Sequence, residues 1–201
     1  MSEKTLLRDK KDAIRCKNFK SHIECCENLG ASYRLKGRLD EAFNEFKECA
    51  EVCRDNKQEL DLARAIRQMG EIRVEQKSFS EGLKLIHRYL KKAEEIQDAI
   101  EIQRALITLG RSYSIYAQEK LGDQEKQKYL EKAEDFCRKA FNAIPKENCT
   151  SHERLVDFDF VDMNKENLLQ PLWYPFSFNS SYLTEKQYRY EYYWYCITMS
   201  T

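Results

Sequence analysis

Eight cysteines and three histidines are the residues of this 201-residue chain with the most chemistry to offer. Cys25, Cys26, Cys49 and Cys53 lie close enough in sequence to raise a four-thiolate zinc site, but no short C-x-x-C knuckle is present to seed a tetrahedral centre. Cys26 and Cys49 instead fall in phase with apolar helical stripes, and the four are read as core thiols. His22, His87 and His152 are scattered and form no recognisable nucleophile or metal arrangement; His87, in "LIHRYL", is expected to be a half-buried helical histidine. No glycine-rich phosphate loop occurs either. No catalytic residue, metal or cofactor is therefore expected, and the chain does not read as an enzyme.

Arginine and amide side chains offer a different chemistry. Asn28 and Arg34, then Arg64, Arg67, Gln68 and Glu71, then Arg104, Thr108 and Arg111 form three polar groups with arginines returning one repeat apart. Guanidinium forks favour carboxylates and carbonyls, Asn and Gln can donate and accept against a backbone, and Glu71 can meet a basic side chain. Placed on one pre-formed groove, these nine residues suit an extended peptide. Direct nucleic-acid binding and membrane association are not indicated. A plain solvated face, or a groove filled by the chain's own tail, are the alternatives.

What must position them is a repeat. "ENLGASY", "RQMGEIR" and "ITLGRSY" place Gly30, Gly70 and Gly110 forty residues apart, each preceded by Leu or Met. Around the first, Ile23, Cys26, Leu29, Gly30 and Tyr33 make one helical stripe. A glycine inside a helix costs roughly 1 kcal/mol against alanine, so its return implies a place where a second helix passes too closely for a Cβ. That helix follows a turn and carries Ala42 and Phe46, then Gly82 and Ile86, then Ala133 and Ala140. The pattern matches tetratricopeptide hairpins, with Arg73 in place of a tyrosine and Cys137 in place of a phenylalanine. The fold class expected is all-α, a right-handed helical-hairpin solenoid. Residues 1–20 form a capping helix, residues 21–146 form three hairpins (about 21–56, 61–97 and 101–146), and a non-repeat tail follows. "EKLGDQEKQK" lengthens the connection within the third hairpin.

Composition sets the limits. Lys plus Arg and Asp plus Glu both total 34, which removes any global charge argument for nucleic acid or an acidic membrane. "MSEKTLLRDKKDAIRCKNFK" lacks the apolar segment of a signal peptide, and no stretch is apolar enough to span a bilayer, so a soluble intracellular protein with free thiols is expected. The sequons at Asn148 and Asn179 are then chance matches. Seven of the 12 tyrosines, both tryptophans and none of the six glycines lie after residue 150, so residues 147–201 are expected to be irregular and out of phase with the repeat. A truncated or alternatively ended chain is expected.

At "AIRQMGEIRVEQKSFSEGLKLIHRYLKKAEEI", "EIQRALITLGRSYSIYAQ" and "YLEKAEDFCRKAF" the chain resembles the N-terminal tetratricopeptide region of the Tonsoku-like proteins, over about residues 5–145. The stretch from Ile102 to Arg111 is the most specific part. The resemblance implies a nuclear, non-enzymatic scaffold of replication-coupled DNA repair at stalled or broken forks, with a peptide-binding region that contacts histones or repair partners. Ankyrin and leucine-rich repeats, which follow in that family, are not found here, so what they supply does not transfer. The runner-up is the forty-residue-repeat class of adaptors that binds cell-polarity peptides in spindle orientation.

Overall fold

A computed structural model describes residues 2–119 and 122–143. Seven helices follow one another: α1 (Glu3–Arg15), α2 (Phe19–Leu35), α3 (Leu39–Asp55), α4 (Glu59–Glu75), α5 (Phe79–Ile96), α6 (Ala99–Gln118) and α7 (Asp123–Asn142). Each helix packs on the next, and there is no strand among the described residues. This is the all-α helical-hairpin repeat expected from the glycine spacing. The expectations for residues 147–201 lie outside the described residues.

The turns keep a stricter beat than the helices. Lys17, Gly37, Lys57, Lys77 and Gln97 all have left-handed backbone angles, with φ between 53° and 72°, and they fall twenty residues apart. After each, the next amide bonds back to a carbonyl five residues earlier: Asn18 to Ala13, Arg38 to Tyr33, Gln58 to Cys53, Ser78 to Arg73 and Asp98 to Ala93, at 2.8–3.2 Å. These are Schellman closures, which satisfy the last carbonyls of one helix and set the start of the next. The forty-residue sequence repeat is therefore two twenty-residue helix-and-turn units. Asn18 and Asp98 add side-chain caps to the helices that follow them.

The recurring glycines sit where helices within a hairpin touch. A Cβ on Gly30 would lie 2.7 Å from the Phe46 ring, on Gly70 2.6 Å from Ile86 Cγ1, and on Gly110 2.7 Å from Cys137 Sγ. Phe46, Ile86 and Cys137 thus fill one equivalent slot in three hairpins. The Cys137 slot lies farther along the chain because the helices are longer, not the connection as expected: α6 runs to Gln118, and residues 123–128 of the inserted stretch form the start of α7, so Cys137 sits two turns deeper in its helix than Phe46 does in α3. Gly82 faces Gly70 across α4 and α5, so a Cβ there would stand 3.0 Å from the Gly70 carbonyl. Behind these contacts Leu29, Ile72, Ile86 and Leu109 are fully buried, each contributing roughly 1.5–3 kcal/mol relative to exposure.

Arg73, which stands where the repeat favours tyrosine, lays its guanidinium 3.7 Å over the Phe43 ring, so an apolar stem and a cation–π contact replace the aromatic. His87 lies at the edge of the core, its ring packed against Tyr113 and Phe136 and burial lowering its pKa. Its outer edge meets solvent, while Nε2 stands 3.2 Å from the Tyr113 hydroxyl at the rim of the Tyr113–Phe136 stack. Cys25, Cys26, Cys49 and Cys53 are all buried free thiols. No helix among the described residues is long and apolar enough to cross a membrane.

Candidate partner-binding face

The first helices of the hairpins, α2, α4 and α6, share one face, and two carboxylates organise it. Glu71, on α4, accepts from Arg67 Nη1 at 2.9 Å one turn back along its own helix and from Arg34 Nη1 of α2 at 2.8 Å. Arg34 also donates to Gln68 Oε1 at 2.8 Å and, from Nε and Nη2, to Glu75 Oε1. One planar fork thus spans three acceptors on the neighbouring helix, its donors spread over three nitrogens rather than gathered on one as in lysine. Glu101, on α6, accepts from Arg64 Nε at 3.1 Å, from Arg104 Nη1 at 2.8 Å and from the Tyr89 hydroxyl. The two knots therefore tie α2 to α4 and α4 to α6.

Burial works against ionising Glu71, yet the charges of Arg67, Arg34 and Arg111 outweigh it and bring its pKa down to about 2. The converse holds for Arg34 and Arg67. Burial alone would favour their neutral forms, but Glu71 keeps both firmly protonated. On the α2 side of the face the balance reverses: burial and the nearby Asp61 carboxylate push Glu27 above the ordinary range, only partly countered by Arg64.

Seven of the nine residues expected to line the groove gather around these two carboxylates: Arg34 from α2, Arg64, Arg67, Gln68 and Glu71 from α4, and Arg104 and Arg111 from α6. They differ in what they can still offer. Asn28 is exposed and makes no side-chain hydrogen bond among the described residues. Arg67 keeps a buried Nε with no hydrogen-bond partner among them, an unmet donor close to the surface. Arg34 is committed to Glu71, Glu75 and Gln68. Thr108 stands apart, since it is buried and its hydroxyl donates back to the Arg104 carbonyl at 2.7 Å.

Glu101 escaped the sequence reading although it is 1% exposed. It sits three residues after the cap Asp98, where a glutamate normally reads as a solvated capping partner. The available signal was its phase, because Glu101, Ala105 and Leu109 repeat at steps of four along the buried stripe of α6.

No protein-family model matches the chain. Aligned with a protein of Drosophila melanogaster named Tonsoku-like protein, it is 30% identical over 118 residues, 59% of this chain and 8% of that protein. The chain resembles the Tonsoku-like proteins. The same name belongs to a Bos taurus protein, 29% identical over 136 residues, 67% of this chain and 10% of the relative. It belongs also to one from Mus musculus, 30% identical over 108 residues, 54% of this chain and 8% of the relative. The matched part thus spans no more than about a tenth of each Tonsoku-like relative, and it agrees with the family resemblance carried by the repeat residues.

Proposed function

We infer that the face shared by α2, α4 and α6 binds an extended segment of a chromatin or DNA-repair protein, and that the chain acts as a non-enzymatic nuclear adaptor. The similarity to Tonsoku-like proteins supports the choice of partner class. The observation that carries the binding reading is the pre-ordered arginine–carboxylate lattice, with Arg67 Nε buried and unmet at its centre. Side chains already fixed by their neighbours lose little freedom when a peptide arrives, which lowers the entropic cost of binding. Asn28 donates to and accepts from a strand-like backbone, and the Glu27–Asp61 end of the face, which Arg64 compensates only in part, suits a lysine or arginine of the segment. In this reading residues 21–146 supply three hairpins and residues 1–20 close their first end.

The test is a fluorescence titration of the full chain with labelled histone-tail and repair-factor peptides, with cell-polarity peptides in parallel. Saturable binding of the first set, weakened roughly three- to tenfold by Asn28→Ala through loss of neutral hydrogen bonds, is expected. Binding of the polarity peptides alone, or of none, would overturn this reading.

A further inference from the structure

On the opposite flank of α2 the structure brings together groups that the partner-binding face does not use. His22 and Cys26 stand four residues apart, so they project from the same side of α2 one turn from each other. Glu48 of α3 reaches between them, with Oε1 2.7 Å from His22 Nε2. One nitrogen, one sulfur and one carboxylate oxygen from these three residues all lie within 4.8 Å of one another. In a tetrahedral zinc site neighbouring ligand atoms stand about 3.3–3.8 Å apart, so closing round an ion asks for small side-chain rotations and no movement of helices.

We propose that His22, Cys26 and Glu48 form a site for a thiophilic divalent cation such as zinc, joining α2 to α3.

Charge is the second argument. Lys10 of α1 donates to Glu45 Oε2 at 2.6 Å and to Glu48 Oε2 at 2.8 Å, so one ammonium serves two carboxylates. With His22 neutral, the group carries one excess negative charge. A divalent ion that displaces the Cys26 proton adds two positive charges and one negative, which brings the sum to zero. Lys10 is not stranded when Glu48 turns to the ion, because Glu45, only 14% exposed, remains its partner. Access is the third. Cys26 is fully buried, but the side chains of His22 and Glu48 are 14% and 40% exposed, leaving an entry path on the α3 side. His–Cys–carboxylate sets select zinc-like ions over magnesium or calcium, which avoid sulfur. As long as no ion is bound, burial holds the Cys26 thiol up at about 12, so it is a metal ligand only when the ion takes its proton.

The full chain, freed of metal by a chelator, is titrated with zinc against a chromophoric competitor and, separately, with cobalt. The expected result is one zinc per chain and a cobalt spectrum showing a thiolate charge-transfer band. Cys26→Ser and His22→Ala should each lower zinc affinity at least about a hundredfold, as loss of a direct ligand exceeds the 10–100-fold cost of disturbing a ligand's support. Cys16→Ser, at an exposed thiol, should leave it unchanged. Glu48→Gln, which keeps shape and lies nearer solvent, gives the decisive reading if either core variant loses helical signal; its zinc affinity should fall by at least tenfold. Absence of zinc binding, a cobalt spectrum without the thiolate band, or affinity unaltered by Glu48→Gln would overturn the proposal.

Discussion

Arg34 Nη1 and Glu71 Oε2 stand 2.8 Å apart across the boundary between the first and second hairpins. Glu71 meanwhile accepts from Arg67 on its own helix through its other oxygen. A single carboxylate therefore serves two arginines from two repeats, and both side chains of the Arg34–Glu71 pair are largely shielded from water, at 21% and 16% exposure. The pairing fixes the lateral spacing of α2 and α4 on the proposed binding face.

Stability should accordingly depend on acid. The Glu71 pKa is depressed in the folded state, so its contribution is fully present above its unfolded value near 4.5 and is lost as pH falls toward about 2. Chemical denaturation at a series of pH values should show the wild type losing stability through that window. Glu71→Gln should start about 2–4 kcal/mol lower at neutral pH and show a shallower decline, the loss held below that of a fully buried pair because Arg34 retains Glu75. Parallel curves for the two proteins would contradict the assignment.

Glycine substitutions separate close approach from backbone freedom. Gly70→Leu should cost about 1–3 kcal/mol by overpacking, since even its Cβ would press on Ile86 and the Gly82 carbonyl. Gly122→Ala, with open space around the new methyl and an ordinary φ of −63°, should be close to neutral. Melting temperatures measured side by side decide this; equal effects would remove the close helix contact from the account.

Lys57 offers the reverse case. Its φ of 56° is a left-handed angle that costs a non-glycine residue about 1–2 kcal/mol, while glycine gives back part of that through its freer unfolded chain. Lys57→Gly should stabilise the protein by about 0.5–1 kcal/mol in urea unfolding, and a loss of stability would show that the Schellman turn is not strained there.

The repeat was open to reading because it writes itself in residue types: small residues at Gly30, Gly70 and Gly110, bulky ones opposite, and charged ones outside. The turns were less open, because four of the five left-handed positions hold Lys or Gln rather than glycine and only the twenty-residue interval betrays them. Salt-bridge geometry was hidden altogether. Arg34 and Arg64 read as outward-facing groove residues, yet they meet Glu71 and Glu101, 37 residues away in each case, and such partners depend on how the helices stack rather than on local pattern. Lys10, His22 and Glu48 come together for the same reason, from three different helices.

Glu101 gives a further test of that hidden layer. Glu101→Gln keeps the shape but takes the charge from between Arg64 and Arg104 and alters the bond to Tyr89, so a loss of about 2–4 kcal/mol is expected, below that of a fully buried pair because the Arg64 side chain is 39% exposed. Urea unfolding measures it. A loss below about 1 kcal/mol would mean the two arginines find other acceptors.

Whether an extended peptide lies across α2, α4 and α6 is read by amide hydrogen exchange of the full chain with and without a saturating histone-tail or repair-factor peptide. Bound peptide should slow exchange in Phe19–Leu35, Glu59–Glu75 and Ala99–Gln118 and leave Leu39–Asp55 and Phe79–Ile96 unchanged. Lys91→Ala, at an exposed lysine on α5, should leave the pattern intact. Protection concentrated on α3 and α5, or no protection at any peptide concentration, would contradict binding on that face.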